Sequence, residues 1–153
     1  MMQSSAPTVI LRHQRENLKK CSLRGLEPRQ DLQFVTYPNG KLPDLSGFLL
    51  LAIDGKPLSA SDSSRGLLLL DATWRYAAVM RRFVDSQVTL ECRSIPAGFI
   101  TAYPRVQNDC PDPDAGLASV EALYIAYLLT GRDPSGLLDG YYWKEDFLLR
   151  NKF

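Results

Sequence analysis

The sequence predicts an α/β protein, in which a mostly parallel sheet is followed by a helical C-terminal part. Two unbroken apolar runs of strand length, residues 47–53 and 66–70, predict strands that are covered on both faces, as in a parallel sheet. The second run leads directly into a segment with helical periodicity, which is the strand-to-helix succession of an α/β fold. Residues 117–130 and 137–153 then have the apolar and aromatic content of two helices that pack on each other.

The length and composition indicate a single domain. The chain has 153 residues, of which 45% are hydrophobic and 23% are charged, values that are typical of a soluble globular domain. A domain of this size buries roughly 68–70% of its unfolded surface, so its core does not require a metal or a disulfide. We divide the chain into an α/β part, residues 1–104, and a helical part, residues 105–153, which together form one compact unit.

Six segments have the composition of strands. Residues 8–11 are β-branched and apolar, and residues 32–37 end at the turn sequence Pro-Asn-Gly of residues 38–40. The third strand is expected to stop at the Asp-Gly pair of residues 54–55, and the fourth leads into Asp71. In order, the predicted strands are residues 8–11, 32–37, 47–53, 66–70, 88–92 and 99–103.

Three segments have the pattern of helices. Residues 72–84 place apolar side chains on one side and arginines elsewhere, which predicts a helix that packs on the sheet. Residues 104–116 contain three prolines and three aspartates and are therefore predicted to be a loop. Residues 117–130 carry a single charge, Glu121, and predict a buried helix. Residues 137–153, rich in aromatic side chains, predict a last helix that packs on it.

The composition argues against several classes of function. Three cysteines without a CxxC pair, and the single histidine His13, argue against a disulfide scaffold, a zinc ribbon and a His-rich site, so no metal is expected. No apolar run approaches the ~20 residues of a membrane span, and the polar start MMQSSAPT does not resemble a signal peptide. We therefore expect a protein of the reducing cytoplasm that makes no contact with a membrane.

Charge and glycine patterns narrow the class of ligand. The formal net charge is only +1, but residues 12–29 contain six Lys and Arg against two Glu. Such a cluster can bind phosphates, and the alternative is a solvated loop with scattered charges. The sequence lacks both GxGxxG and GxxxxGK[ST], which argues against nucleotide di- and triphosphates. A nucleoside-like ligand without phosphates is compatible with this pattern.

The end of the fourth predicted strand is the best-defined place for a ligand. In open α/β sheets, ligands bind outside the carboxyl ends of strands, and Asp71 lies where this strand gives way to a helix. Asp71 or Thr73 could instead be a helix N-cap, which contributes about 1 kcal/mol. Trp74 would then be either a core residue or a flat wall for an aromatic ligand.

Glu121 is the second unusual polar residue. A carboxylate in an apolar helix costs free energy unless it is paired or hydrogen-bonded. We expect Glu121 to cap the start of its helix or to hold the preceding loop, and we favour this over a direct role in chemistry.

Several stretches of the sequence carry a resemblance to a known superfamily. The tetrapeptide Asp71-Ala72-Thr73-Trp74, within LLLLDATWRYAAVMRR, resembles the DxTW signature of the DTW-domain proteins. The stretch LRHQRENLKKCSLRG resembles their N-terminal segment with His, Glu, Lys and Ser or Thr. RSIPAGFITAYPR, GLASVEALYIAYLLTGR and YYWKEDFLLRN resemble the C-terminal half of the related small-subunit rRNA aminocarboxypropyltransferases. The ordered series extends over about residues 10–151.

This resemblance implies a fold and an activity. The superfamily is similar to the SPOUT-type RNA methyltransferases, which implies a SPOUT-like fold with a trefoil knot, an exception to the rule that chains avoid knots. Its members bind S-adenosylmethionine as a co-substrate and transfer the 3-amino-3-carboxypropyl group to a uridine or pseudouridine base of RNA, without a metal. The implied partner is structured RNA. The DxTW motif favours tRNA, and rRNA is the alternative.

The resemblance also implies roles for individual residues. Asp71 would bind the amino group of the methionine part, Trp74 and Ala77 would lie beside its carboxylate, and Ser22 would contact the ribose. Asp71 and Trp74 are the predicted catalytic residues. The predicted S-adenosylmethionine site comprises Ser22, Leu51, Leu70, Asp71, Thr73, Trp74, Ala77, Phe99 and Ile100, with the backbone near residues 51, 70 and 99–100 around the adenosine. The predicted RNA-binding residues are Arg12, Arg15, Lys19, Lys20, Arg24 and Arg105.

The chemistry of a sulfonium donor leaves alternatives open. Any of the three carbons on sulfur can be attacked, and the carbon held in line with the nucleophile at about 3–3.5 Å decides the product. A SPOUT-type methyltransferase is one alternative, and a non-catalytic RNA-binding or ribosome-assembly factor is another. Asp71 is the nearest general base for the N3 proton of uridine, but a carboxylate that holds an ammonium group does not easily accept a proton. The proton can also pass to water.

Overall fold

The computed structural model describes residues 6–15, 22–72, 74–103 and 117–153. Along the chain the strands and helices alternate in the manner of an α/β protein. In order they are β1 (Thr8–His13), β2 (Leu32–Tyr37), β3 (Leu49–Pro57), a short 3-10 helix (Ala60–Asp62), β4 (Leu67–Asp71), α1 (Trp74–Gln87), β5 (Glu91–Ser94), α2 (Ser119–Leu129) and α3 (Lys144–Arg150).

The five strands form one sheet in the order β2-β1-β4-β3-β5, and every pair of neighbours is parallel. The prediction of an α/β fold with a mostly parallel sheet is therefore confirmed. After β1 the chain continues to β2, which lies on one side of the β1–β4 pair. After β4 it continues to β5, which lies on the other side of that pair. The carboxyl ends of β1 and β4 are thus the point where the strand order reverses, which is where ligands bind in open α/β sheets.

Both faces of the sheet are covered, which explains the unbroken apolar runs. On one face, Leu67 and Leu69 of β4 belong to a core that includes Leu123 and Tyr127 of α2. On the other face, the intervening Leu68 belongs to a second core with residues of α1 such as Met80 and Val84. Successive strand residues point to opposite faces, so a strand between two helical layers must be apolar at every position.

The third strand does not stop where the sequence predicted. β3 continues through residues 54–55 to Pro57, with a shift in its pairing to β5 between Leu51 and Lys56. Gly55 makes this irregularity possible, because a Cβ at that position would lie 2.5 Å from the backbone nitrogen of Arg93. The prediction that the Asp-Gly pair ends the strand was wrong, since a glycine can also mark a bulge in a strand that goes on.

Three predictions in the second half of the chain also need correction. Residues 99–103 form no strand, because side chains rather than a neighbouring strand bind their backbone groups. The predicted helix at residues 137–153 is shorter, since α3 spans only residues 144–150 and residues 135–140 form turns. Gly136 has a φ of 82°, in the left-handed region that interrupts a helix. The fifth strand begins at Glu91, three residues after its predicted start.

Two further predictions depend on segments outside the described residues. The predicted loop at 104–116, and with it the boundary between the two predicted parts, lies there. The trefoil knot depends on the path of that segment and of residues 16–21, so it stays a prediction. In the segments that are described, no helix combines the length and apolar character needed to span a membrane.

Candidate functional site

The candidate site is built around Asp71, at the carboxyl ends of β1 and β4. The register of these strands places Asp71 opposite Arg12. The Arg12 Nε donates to Asp71 Oδ2 at 3.1 Å, and Ser119 Oγ donates to Asp71 Oδ1 at 2.9 Å. Asp71 is only 3% exposed, so this carboxylate is held between a strand on one side and the first residue of α2 on the other.

These contacts bear on the two interpretations of the DxTW segment. α1 begins at Trp74, so Asp71 lies three positions before the helix and its carboxylate contacts β1 and α2 instead. An N-cap role for Asp71 is therefore not what its position indicates. Thr73 lies outside the described residues, and for Trp74 the structure gives the position in the chain without a description of the side chain.

Arg12 faces the interior of the site. Its guanidinium bridges two carboxylates, since Nη1 also donates to Glu27 Oε2 at 3.3 Å, and it lies over the ring of Phe34 at 4.6 Å from the centroid. Its side chain is 11% exposed. The geometry places Arg12 beside Asp71, because the pairing of β1 with β4 brings these two residues to opposite positions. The role of Arg12 in RNA binding stays a prediction.

The other predicted RNA-binding residues divide into two groups. Arg15 and Arg24 are exposed, as a phosphate-binding surface requires. Lys19, Lys20 and Arg105 lie outside the described residues.

Ser22 reaches the same end of α2 as Asp71. Its Oγ accepts a hydrogen bond from the backbone nitrogen of Val120 at 3.1 Å, next to the Ser119 that binds Asp71. Two residues predicted from separate motifs are thus brought together by the first turn of α2. Ser119 is not among the predicted site residues, although a serine at the start of an otherwise apolar helix is a visible signal in the sequence.

Glu121 holds the wall of the site together. It is fully buried, and its carboxylate accepts hydrogen bonds from Thr101 Oγ1 (2.6 Å), the Ala102 and Ala118 backbone nitrogens (both 2.8 Å) and the Tyr141 hydroxyl (3.0 Å). The expectation that Glu121 caps its helix is confirmed. Its carboxylate also holds residues 101–102, whereas the predicted loop at 104–116 lies outside the described residues. The segment after β5 is therefore anchored to the same helix start that contacts Asp71.

The residues predicted around the adenosine do not all pack on the same side of the sheet. Phe99 and Leu51 pack against the core on the α2 side of the sheet, whereas Leu70 packs against the core on the α1 side, where Ala77 is half-buried. Ile100 is 49% exposed.

The backbone at Ile100 is held by α3. Asn151 accepts from the Ile100 nitrogen at 2.7 Å, and its side-chain nitrogen donates to the Ile100 oxygen at 2.8 Å. Phe99 stacks on the ring of Phe153 with the centroids 6.0 Å apart. The C-terminal residues thus fix the conformation of the segment that is predicted to frame the adenosine, a role of Asn151 that the sequence analysis did not identify.

His13 lies at the end of β1 on the opposite face from Arg12. Its ring stacks on Tyr76 of α1 at 4.0 Å, and Nδ1 accepts a hydrogen bond from the Arg15 nitrogen at 3.0 Å. Burial and, to a smaller extent, the positive charge of Arg15 lower the pKa of His13 below its usual value. The ring is therefore neutral at neutral pH, with its proton on Nε2.

Other features of the described residues do not coincide with this site. No group of three or more His, Cys, Asp or Glu side chains in those residues is arranged to hold a metal ion. A cleft of about 250 Å³ lies on the helical part, between Tyr124 of α2, Leu148 of α3 and the turns at residues 134–139. None of the predicted site residues lines this cleft.

Comparison with known proteins establishes the fold. No family model matches the sequence, and no curated protein matches it either. The structure is similar to the solved structure of the SAM-dependent rRNA:acp-transferase Tsr3 from Vulcanisaeta distributa, with a TM-score of 0.68 and 21% sequence identity. The similarity covers 95% of this chain and 79% of that one. At this level of identity the comparison shows that the two chains share a fold.

Proposed function

We propose that this protein is an S-adenosylmethionine-dependent transferase that moves the 3-amino-3-carboxypropyl group to a uridine-type base in RNA. The observation that carries the proposal is the buried Asp71 carboxylate, held by Arg12 and Ser119 at the point where the strand order reverses. Its support is the shared fold with an rRNA:acp-transferase, together with the DxTW motif that contains this aspartate.

In the proposed site, each group of the chain has one task. Asp71 binds the ammonium group of the donor's amino-acid arm, and the first turn of α1, at Trp74 and Ala77, lies beside the donor's carboxylate. Ser22 contacts the ribose. Backbone near Leu51, Leu70, Phe99 and Ile100 frames the adenosine.

The transfer itself needs positioning more than acid–base help. N3 of the base forms a bond to the Cγ of the arm, the Cγ–S bond breaks, and its electron pair stays on sulfur, which leaves neutral 5′-methylthioadenosine. The N3 proton passes to water, because Asp71 is committed to the ammonium group. The residues that hold the arm in line with the nucleophile therefore supply most of the rate.

The RNA would approach along the exposed arginines Arg15 and Arg24, which can bind phosphates. The DxTW motif favours tRNA, whereas the fold shared with an rRNA enzyme favours rRNA, so both are tested together. The reducing cytoplasm is the proposed location.

Isotope transfer tests the reaction. The purified protein is incubated with fractionated tRNA and rRNA and with S-adenosylmethionine labelled either in the carboxypropyl arm or in the methyl group. We expect arm label in a nucleoside of one RNA fraction and no methyl label. Methyl label alone would identify a methyltransferase. No label, with no donor binding by calorimetry, would identify a non-catalytic RNA-binding factor.

Nucleoside mass spectrometry of a deletion strain tests the same proposal in the cell. The tRNA and rRNA of the deletion strain should differ from those of the parent by one aminocarboxypropyl nucleoside, missing in one of the two fractions. That fraction identifies the substrate RNA. An unchanged nucleoside profile in both fractions would contradict the proposal.

A further inference from the structure

We propose that Arg12 is a positioning residue for the amino-acid arm of the donor, acting through Asp71 and assisted by Glu27 and Ser119. This inference rests on the proposed function, and it assigns Arg12 to donor binding rather than to RNA binding. Three sets of observations carry it: the way the guanidinium is held, the way the carboxylate is oriented, and the charge of the group.

The Arg12 guanidinium is fixed on three sides. It donates through Nε to Asp71 at 3.1 Å and through Nη1 to Glu27 at 3.3 Å, while its Cζ lies over the Phe34 ring, 4.6 Å from the ring centre. A planar guanidinium keeps a fixed fork of donors, so fixing its plane also fixes the direction of each hydrogen bond. The side chain is 11% exposed, which leaves it poorly placed to contact an RNA backbone.

The Asp71 carboxylate is oriented from both of its oxygens. Arg12 binds Oδ2 and Ser119 binds Oδ1, and these donors come from a strand and from a helix that lie far apart in the sequence. Two such bonds define the plane of the carboxylate. A carboxylate whose plane is fixed presents its oxygens to an ammonium group in one direction.

Glu27 gives the cluster of Arg12, Asp71 and Glu27 a net negative charge, which suits a cationic ligand. Arg12 alone would cancel the charge of Asp71, but with Glu27 the three side chains carry one net negative charge. Burial would raise the pKa of Glu27, but hydrogen bonds from its own backbone, from Arg12 and from the Gly25 amide outweigh it and lower the pKa. Glu27 is therefore ionised at neutral pH. S-adenosylmethionine, with a sulfonium, an ammonium and a carboxylate, carries one net positive charge.

The test compares two ligands that differ in the amino-acid arm and in the charge on sulfur. 5′-Methylthioadenosine, the product left after transfer, has the adenosine and the sulfur but no amino-acid arm. Calorimetric titration of R12Q should show about tenfold weaker binding of S-adenosylmethionine, because the lost orientation of Asp71 outweighs the gain in net negative charge; tenfold is the scale of one disturbed charge-assisted hydrogen bond. Binding of methylthioadenosine should change by less than about twofold, because this ligand has no arm for Asp71 to hold. R12K should recover part of the loss, because it restores one charged donor.

Arg65→Gln is the matched control. Arg65 also pairs with a glutamate, Glu91 at 3.1 Å, but it lies at the opposite end of β4. This control should leave the affinity for both ligands unchanged. E27Q is a second variant at the outer end of the same bridge, and it should weaken only S-adenosylmethionine, by a smaller factor than R12Q.

The outcomes separate the inference from the function on which it rests. Equal losses of both ligands in R12Q and E27Q would show that Arg12 is only structural, and no loss in either variant would show that it does not act on the arm. Either result overturns the inference while the wild-type protein still binds and transfers. A wild-type protein that binds neither ligand would overturn the proposed function and this inference with it.

Discussion

Asp71 combines two properties that are costly to keep together, a negative charge and a buried position. An ionised carboxylate persists in such a place only if charged or hydrogen-bonding partners replace the water, and Arg12 and Ser119 provide them. Breaking a buried ion pair by removing one partner costs about 3–5 kcal/mol, because the remaining charge stays behind. Arg12 has Glu27 as a second partner, which reduces this cost.

Asp71→Asn separates the charge of this residue from its shape. The amide can still accept a hydrogen bond from Ser119 or Arg12, so we expect the variant to fold. Its free energy of unfolding should fall by about 1–2 kcal/mol, which lowers the melting temperature by only a few degrees. Transfer to RNA should fall at least about 100-fold, because the ammonium of the donor loses its counter-charge. Ser119→Ala is the control that removes an orienting bond without removing the charge, and it should lose less. An Asp71→Asn enzyme with full activity would contradict the assignment.

Glu121→Gln should lower the free energy of unfolding more than substitutions in the candidate site, such as Asp71→Asn, do. The carboxylate accepts four hydrogen bonds, whereas an amide offers one oxygen and turns its nitrogen towards one hydroxyl and one backbone N–H, which cannot accept. We expect a loss of about 3 kcal/mol in the free energy of unfolding, measured by urea denaturation. Glu145→Gln, on the exposed side of α3, should change it by less than about 0.5 kcal/mol. Equal effects of the two variants would contradict the role of Glu121.

His13 should make stability fall in mild acid. Its pKa in the folded protein lies below the usual 6.5, so the unfolded chain binds the proton more readily. The contribution of His13 to the free energy of unfolding is complete above pH 6.5, and it is lost as the pH falls from there towards the pKa of His13 in the folded protein. Urea denaturation between about pH 7.5 and 5 should show this slope, and His13→Gln should flatten it. The same slope in both proteins would assign it to other groups.

At the scale of elements, the irregularity of β3 shows how one glycine can change the course of a strand. The pairing of β3 with β5 shifts between Leu51 and Lys56, and the Ser94 hydroxyl bonds the Gly55 oxygen at 2.7 Å. The strand is thereby kept on β5 beyond the point where it parts from β4. Leu51, predicted at the adenosine, is the last residue of the regular part.

Gly55→Ala tests this arrangement. The added Cβ would lie 2.5 Å from the Arg93 nitrogen and from the Cys92 carbonyl carbon, so one strand must move. We expect a loss of about 2 kcal/mol in the free energy of unfolding, and weaker donor binding if the displacement reaches Leu51. Lys56→Ala, at the exposed neighbouring position, is the control and should be nearly neutral. A neutral Gly55→Ala would show that the two strands separate without cost.

The helices α2 and α3 cover one face of the sheet and also support the candidate site. α2 presents Ser119 and the Val120 amide to residues from two distant segments, and Glu121 holds the stretch after β5. α3 is followed by Asn151, which holds both backbone groups of Ile100. The elements that cover the sheet thus also fix the conformation of the edge where the candidate site lies.

At the scale of the whole molecule, the strand order brings the candidate site together. Ser22, Asp71 and Ser119 are far apart in the chain, and they meet because β1 and β4 are neighbours with α2 across their carboxyl ends. A sheet of the same strands in which β1 and β4 were not neighbours would separate Arg12 from Asp71. The similarity to the solved rRNA:acp-transferase is a similarity of the whole fold and therefore includes this arrangement of strands and helices.

The sequence by itself determined the elements whose signal is local. The apolar runs of β3 and β4, the helix after Asp71 and the buried helix around Glu121 all follow from periodicity and burial, and the DxTW segment marked the end of β4 as the place for chemistry. Only the tertiary structure decided that Arg12 turns inward to Asp71, that Ser119 completes the carboxylate's contacts, and that Asn151 replaces a strand as the partner of Ile100. The physical reason is that periodicity records which face of an element is buried, whereas the partner of a polar side chain depends on which elements become neighbours, and the order of strands in a sheet leaves no local pattern.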